Sequence, residues 1–275
     1  MITVIFGAPG AGKTGLLSYI LNERIYDEER NGAMQDEIAE LNANGFRLSA
    51  PEHCVYSNYT INCTKWRYED RSPWIINPFR LGLQKDSPVK CHYILPYGTI
   101  GIDEAQKYFY SKGGAALPVW VSNFFEEHRH HDLDIYLAAQ RPFLIEKNIR
   151  DISQGYDVIW RDVRNKKNGG ISITWTVNVV NVGDIDRYIN AENESDKKQF
   201  YHVEQFTADY NIYDMYDSQG CKYRFFEGHM TEDFDLQEAA PLPATYEEYK
   251  IYMQTVDDER PPEYTSKKKE KKNEA

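Results

Sequence analysis

The chain has 275 residues, which is enough for one or two domains with a buried core. Apolar residues make up 41% and aromatic residues 14%, too many for a disordered chain, and the 27% of charged residues indicate a well-hydrated surface. The formal net charge of −11 argues against a protein that coats nucleic acid over its whole surface. Any contact with DNA is therefore expected to be local.

The cysteines and the hydropathy pattern indicate a reducing, aqueous compartment. None of the four cysteines belongs to a CxxC pair, which favours neither a zinc knuckle nor a disulfide framework. The amino terminus has no export-signal pattern. No window approaches the roughly 18 consecutive apolar residues that a bilayer span requires. We therefore expect a cytoplasmic protein with no transmembrane segment of its own.

Charge also divides the chain into a body and a tail. Residues 231–264 carry a net charge of −8, and the lysine-rich residues 265–275 carry +3. A folded domain is predicted over 1–230, followed by a partly disordered tail over 231–275. Within the tail, Thr245 begins a capping-box pattern that predicts one short helix.

In chain order, the body alternates between predicted strands and helices. The apolar run at 2–6 predicts a strand that ends at Gly7, and Leu17, Leu21 and Ile25 then share one face of a helix. Further strands are predicted at 53–61, 99–102 and 134–139, and further helices at 34–41, 118–131 and 144–151. Residues 73–98 contain four prolines and no clear period, so no element is assigned there.

A β-hairpin is predicted after these elements. Residues 158–163 and 171–180 flank the turn sequence RNKKNGG. Ile173, Trp175 and Val177 alternate with polar residues, so one face of the second arm is expected to be buried. The pattern as a whole predicts an α/β fold with a mostly parallel sheet flanked by helices, and with this hairpin as an antiparallel addition at its edge.

A phosphate-binding loop (P-loop, or Walker A motif) follows the first predicted strand. Residues 7–14 fit GxxxxGK[ST] and lie between an apolar strand and an amphipathic helix, the context that this motif requires. Glycines let successive N–H groups turn inward around a phosphate, and the helix adds its positive dipole end. Lys13 is predicted to reach the β- and γ-phosphates of ATP, and the Thr14 hydroxyl to coordinate Mg²⁺. The predicted nucleotide-binding residues are Gly7, Ala8, Pro9, Gly10, Ala11, Gly12, Lys13 and Thr14.

An acidic pair ends the strand predicted at 99–102. Phosphoryl transfer at such a loop needs a second acid near the metal and a group that activates the attacking water. Asp103 is predicted to face the metal, and Glu104 to accept a proton from water. The plainer alternative is an exposed acidic turn.

Other polar residues are weaker candidates for the same site. Gln140 ends the strand predicted at 134–139 and is expected to sense the γ-phosphate or the water, with a turn role as the alternative. Arg129, Arg141 and Arg150 are candidates for a charge-stabilising finger, in cis or from a neighbouring subunit, and the sequence does not rank them. The histidines at 128–131 have no evident third ligand, so they are interpreted as a helix end, and Mg²⁺ is the only metal predicted.

Together these motifs resemble the zonular occludens toxin (Zot) family, which includes the assembly ATPases of filamentous phages. The matching segments are GAPGAGKT at 7–14, IDEAQKYF at 102–109, EEHRHHDLDIYLAAQRP at 126–142, Ile149-Arg150 before a strand, and YNIYDMYDS at 210–218. The resemblance implies a P-loop NTPase of the additional-strand class, related to FtsK- and HerA-type translocases, that drives extrusion of single-stranded DNA at the inner membrane. Typical members continue into a membrane span and an outer domain. Neither is recognisable here, so membrane insertion and toxin-like activity are not expected.

Two functional hypotheses remain open. The first is an ATP-hydrolysing motor for phage virion assembly, export or packaging of single-stranded DNA, acting as a homo-oligomeric ring with phage assembly or membrane proteins. The second is a nucleotide-gated binding module, and a small-molecule kinase is a weaker third. The basic residues of the hairpin, among them Arg161 and Arg164, would grip DNA in the motor or form a solvated turn. The lysines at 267–272 would either bring the tail to the inner face of the cell membrane or solubilise it.

Overall fold

The computed structural model of the chain describes residues 1–45, 50–59, 61, 73–76, 78, 81, 94–110, 117, 119–166 and 170–215. The tail predicted over 231–275 and its helix after Thr245 lie outside the described residues, as does the end of the predicted folded domain.

One eight-stranded sheet forms the centre of the described structure, in the order β3-β2-β4-β5-β1-β6-β7-β8. Neighbouring strands are parallel from β3 to β6, whereas β7 and β8 are antiparallel additions. The strands are β1 Ile2–Phe6, β2 Val55–Ser57, β3 Trp74–Ile75, β4 Thr99–Ile102, β5 Asp134–Ala138, β6 Gln154–Asn165, β7 Ile171–Val180 and β8 Tyr201–Ala208. The predicted α/β class with a mostly parallel sheet is thus confirmed.

Helices cover both faces of this sheet. They are α1 Lys13–Ile25, α2 Glu28–Ala43, α3 Val119–Glu127, α4 Lys147–Asp151, α5 Ile185–Asn190 and α6 Glu194–Lys197. Short 3₁₀ turns lie at Ala105–Lys107, His128–His131, Pro142–Leu144 and Ile212–Asp214. Among these helices of the described residues, none combines the length and the apolar character of a membrane span.

The alternation of side chains along β1 divides the core into two layers. Val4 and Phe6 pack on the face that α2, α3, α4 and α5 cover, and Ile5 packs on the face that α1 covers. Helix α1 buries Leu16, Leu17, Leu21 and Ile25 completely. Because a fully buried aliphatic side chain contributes about 1.5–3 kcal/mol, this face fixes α1, and with it the phosphate loop, against the sheet.

The antiparallel end of the sheet differs from the prediction in two ways. Strand β6 begins at Gln154, earlier than the predicted 158, because the polar Gln154 and Asp157 hide its first half from a hydrophobic pattern. The predicted hairpin of β6 and β7 exists, and its second arm buries Ile173 and Trp175 as expected. It is not the outermost part of the sheet, however, since β8 pairs with β7 along its whole length. Most of β8 is exposed, which explains why no apolar period announced it.

Contact between α1 and β4 depends on a residue without a side chain. A Cβ atom at Gly101 would lie 3.0 Å from Leu21 Cγ and closer still to the Leu21 methyl carbons. Gly101 therefore lets α1 approach the strand that carries the acidic pair.

We expect Gly101→Ala to lower the free energy of unfolding by about 1–3 kcal/mol, because the new methyl group overpacks the α1 side of β4. Gly32→Ala is the matched control, since a Cβ atom there meets no atom within 4 Å. In a helix, that control should be neutral or stabilise by up to about 1 kcal/mol. Urea denaturation measures both variants, and a Gly101→Ala variant as stable as wild type would contradict this packing.

Candidate nucleotide-binding site

Backbone shape defines the phosphate loop between β1 and α1. Gly7 has a φ of 143°, and a Cβ atom there would lie 2.7 Å from the Val158 carbonyl oxygen of β6. Gly12 has a φ of 92° and directly precedes α1. An L side chain would be strained at both positions, so the curl of the loop requires glycine. Since Gly12 has no side chain to cap the helix, the first amides of α1 are left for a ligand.

Lys13 lies over the loop that precedes it. Its Nζ donates hydrogen bonds to the carbonyl oxygens of Gly7 and Ala8, both at 3.1 Å. Burial lowers the pKa of this ammonium, and the nearby charges of Asp103 and Glu104 oppose that shift. The structure therefore holds a cation at the mouth of the loop, next to the acidic pair.

The first turn of α1 contacts the end of β4 directly. The Thr14 hydroxyl donates to Asp103 Oδ2 over 3.1 Å, although the two residues are 89 positions apart in the chain. Burial and the charge of Glu104 raise the pKa of Asp103 to about 6, and the hydrogen bond from Thr14 opposes this shift. A hydroxyl and a carboxylate oxygen are hard ligands of the kind that Mg²⁺ prefers, so this pair fits the predicted ion.

Asn58 holds the backbone of Asp103 in place. Its Oδ1 accepts a hydrogen bond from the Asp103 N–H at 2.8 Å, and its Nδ2 donates to the Asp103 carbonyl oxygen at 3.0 Å. Asn58 follows β2, the parallel neighbour of β4, and is buried. Sequence reasoning missed this residue, because the strand predicted over 53–61 extends past Asn58, whereas the observed strand ends at Ser57.

Glu104 adopts a backbone conformation that is rare for its residue type. Its φ of 52° and ψ of 40° lie in the left-handed region, where a non-glycine residue is disfavoured by about 1–2 kcal/mol. Its Oε2 accepts a hydrogen bond from Gln106 Nε2, in the 3₁₀ turn that follows. Such strain is a common feature of functional sites, where surrounding contacts enforce it.

A cavity of about 690 Å³ joins these residues. Gln140, which follows β5, lies in its wall together with the phosphate loop and the acidic pair. The lining residues are Pro9, Gly10, Gly12, Lys13, Thr14, Asp103, Glu104, Ala138, Ala139, Gln140, Arg161 and Tyr213. The carboxyl ends of β1, β4 and β5 meet at one edge of the parallel sheet, which is where ligands bind in open α/β folds.

The arginines proposed as fingers lie elsewhere in the chain. Arg129 is exposed in the turn before β5, at the opposite edge of the sheet. Arg150 is buried, and its guanidinium forms a two-pronged ion pair with Asp186 at 2.8 and 2.9 Å. Arg141 follows Gln140 and is exposed. The structure therefore brings none of the three into the wall of the cavity of their own chain.

Arg161 and Tyr213 enter the cavity instead. Arg161 belongs to β6, and its side chain passes over Gly12. Tyr213 lies in the 3₁₀ turn after β8, and its hydroxyl accepts a hydrogen bond from Arg161. From sequence, Arg161 was expected either to grip DNA or to belong to a solvated turn, and Tyr213 had no predicted role, because neither residue is near the loop in sequence.

The strand order and the phosphate loop are those of a P-loop NTPase fold of the additional-strand class. In this class one strand, here β5, lies between β1, which precedes the phosphate loop, and β4, which precedes the acidic pair. The family model of Zonular occludens toxin (Zot) matches residues 1–221, so the chain belongs to the Zot family.

Solved structures with a similar fold are distant in sequence. The crystal structure of the N-terminal domain of zonular occludens toxin from Neisseria meningitidis is similar at 18% identity and a TM-score of 0.42, over 78% of this chain and 98% of that one. The genome packaging NTPase B204 from Sulfolobus turreted icosahedral virus 2, in complex with ATP-gammaS, is similar at 13% identity and a TM-score of 0.29, over 61% of this chain and 78% of that one. No curated protein matches the chain significantly. Likenesses this distant do not carry a function to the chain.

The strain at Glu104 makes a prediction that is independent of activity. Glu104→Gly and Glu104→Ala both remove the carboxylate, but only glycine relieves the left-handed backbone. We expect the glycine variant to exceed the alanine variant in free energy of unfolding by about 1 kcal/mol. Paired urea denaturation curves measure this difference, and equal stability would mean that position 104 is unstrained.

Proposed function

We propose that the chain binds and hydrolyses ATP and acts as a motor in phage virion assembly, export or packaging of single-stranded DNA. The contact between Thr14 and Asp103 carries this proposal, because it joins the phosphate loop to the acidic strand inside one pocket. Membership in the Zot family supports the phage setting.

Binding is assigned to the loop and its two neighbours. The amides of residues 7–14 would surround the phosphates, and Lys13 would move from the Gly7 and Ala8 carbonyl oxygens to the phosphate oxygens. Thr14 and Asp103 would hold Mg²⁺, which neutralises phosphate charge when it is bound. Asn58 keeps the backbone of Asp103 fixed while the carboxylate changes partner.

Hydrolysis is assigned to Glu104 and Gln140. One Glu104 oxygen is engaged by Gln106, which orients the carboxylate and leaves the second oxygen to accept a proton from the attacking water. Gln140 follows β5, the strand next to β4, and would position that water or sense the γ-phosphate. Both side chains would change contacts when the γ-phosphate leaves. This change of contacts would couple ATP hydrolysis to a conformational change in the rest of the molecule.

The motor would act as a homo-oligomeric ring. Arg129 is exposed at the edge away from its own pocket, so we assign its finger role to the pocket of a neighbouring subunit. Arg150 is engaged by Asp186, and we assign it a structural role. The proposed partners are single-stranded DNA and phage assembly or membrane proteins, in the host cytoplasm or at the inner face of the cell membrane.

Two substitutions should separate binding from hydrolysis. We expect Glu104→Gln to keep ATP binding but to lower the rate of hydrolysis by about 100-fold or more, because the general base is lost. Lys13→Ala should weaken ATP binding itself. Glu40→Gln, on the exposed side of α2, is the matched control and should leave both unchanged. Phosphate release and ATP titrations, with and without single-stranded DNA, measure these effects.

The same assay distinguishes the motor from the nucleotide-gated binding module. The motor predicts turnover that single-stranded DNA stimulates and that Glu104→Gln abolishes. Tight ATP binding with negligible turnover under every condition would favour the module and contradict the motor.

A further inference from the structure

Two donors converge on Gly12 from the antiparallel side of the sheet. A Cβ atom at Gly12 would lie 2.9 Å from Arg161 Cδ and 3.3 Å from Arg161 Nη1. It would also lie 2.9 Å from Trp175 Nε1, a buried N–H group without a hydrogen-bond acceptor among the described residues. Residue 12 therefore has to be glycine for a second reason besides its φ: the side chains of Arg161 from β6 and Trp175 from β7 leave no room for a Cβ atom.

Arg161 places a positive charge without an ion-pair partner among the described residues beside Gly12. Among the described residues, no carboxylate lies within ion-pair distance of its guanidinium. Its partner is the ring and hydroxyl of Tyr213, with the guanidinium carbon 5.4 Å from the ring centroid. By contrast Arg164, on the same strand, is exposed and pairs with Asp162 at 2.6 Å. An arginine that lines a pocket and has no carboxylate as its ion-pair partner is suited to bind a phosphate.

The order of the strands indicates which phosphates Arg161 can reach. Asp103 and Glu104 follow β4 and Gln140 follows β5, so the γ-phosphate end of the nucleotide faces that side of β1. Arg161 projects from β6, on the other side of β1, and lies over Gly12, the residue directly before α1. A nucleotide whose γ-phosphate faces the acidic pair would extend its β- and α-phosphates towards this side of the loop.

We propose that Arg161 is a second phosphate-binding cation of the pocket, acting in cis on the α- and β-phosphates that ADP and ATP share. This inference rests on the proposed nucleotide binding and adds a residue to that site. Arg161 differs in this respect from a finger, which acts on the γ-phosphate. Lys13 and Arg161 then hold the polyphosphate from the two sides of the loop.

Tyr213 is the positioning residue of this contact. Its turn is anchored in the core on α1 through Ile212 and Met215, which are almost fully buried. The neighbouring Tyr210 accepts a hydrogen bond from Asn22 of α1 at 2.7 Å. The tyrosine-rich segment therefore fixes Arg161 over the loop.

The test is calorimetric titration of the full chain with Mg·ADP and with the non-hydrolysable Mg·β,γ-imido-ATP. We expect Arg161→Ala to weaken the binding of both nucleotides by a similar factor, about ten- to hundredfold, because a charge-assisted contact with the phosphates is lost. It should also reduce the salt dependence of ADP binding. Arg164→Ala is the matched control and should bind both nucleotides like wild type. Arg161→Gln provides the same comparison should the alanine variant not fold.

Tyr213 variants test the positioning role. Tyr213→Ala should weaken ADP binding, and Tyr213→Phe should restore part of it, because the ring contact with the guanidinium is kept.

Unchanged ADP affinity in Arg161→Ala and Arg161→Gln would overturn the inference, including a result in which only the triphosphate analogue binds more weakly. If wild type binds neither nucleotide, the proposed function itself fails. If wild type binds both and the Arg161 variants match it, only the present inference fails.

Discussion

A single hydrogen bond across the sheet, from the Thr14 hydroxyl to the Asp103 carboxylate, is the contact on which the site depends. It spans the width of one strand, because β5 lies between β1 and β4, and it forms at the carboxyl edge to which both strands point. The packing of Leu21 against Gly101 sets the distance between α1 and β4, and Asn58 fixes the backbone of Asp103 from the next strand. The fold thus places a hydroxyl, a carboxylate and an ammonium at one loop before any ligand arrives.

The two edges of the parallel sheet have different roles. The carboxyl edge collects the phosphate loop, the acidic pair and Gln140, and it includes the strained Glu104. The amino edge holds Arg129 exposed and Arg150 in an ion pair with Asp186. A charge that acts on the pocket within one chain therefore has to come from the carboxyl edge, and among the described arginines Arg161 is the one that lines the pocket.

The sequence predicted the parts of the site that are local in the chain. The loop motif, β1, α1 and β4 match their predicted positions because a short apolar run and a 3.6-residue period report burial directly. Asn58, Arg161 and Tyr213 could not be found this way, since their roles come from strand order and from a segment that returns to α1. Strand β8 is mostly exposed, and β3 falls among prolines, so neither carries a clear period.

The most direct test of the central contact is the effect of magnesium on ATP binding to the whole chain. Calorimetric titrations of wild type and Asp103→Asn with ATP, in magnesium and in EDTA, measure it. The structure predicts that magnesium tightens ATP binding to wild type and that Asp103→Asn loses most of this gain. ATP binding to wild type that is equal in magnesium and in EDTA would contradict a metal site at Thr14 and Asp103.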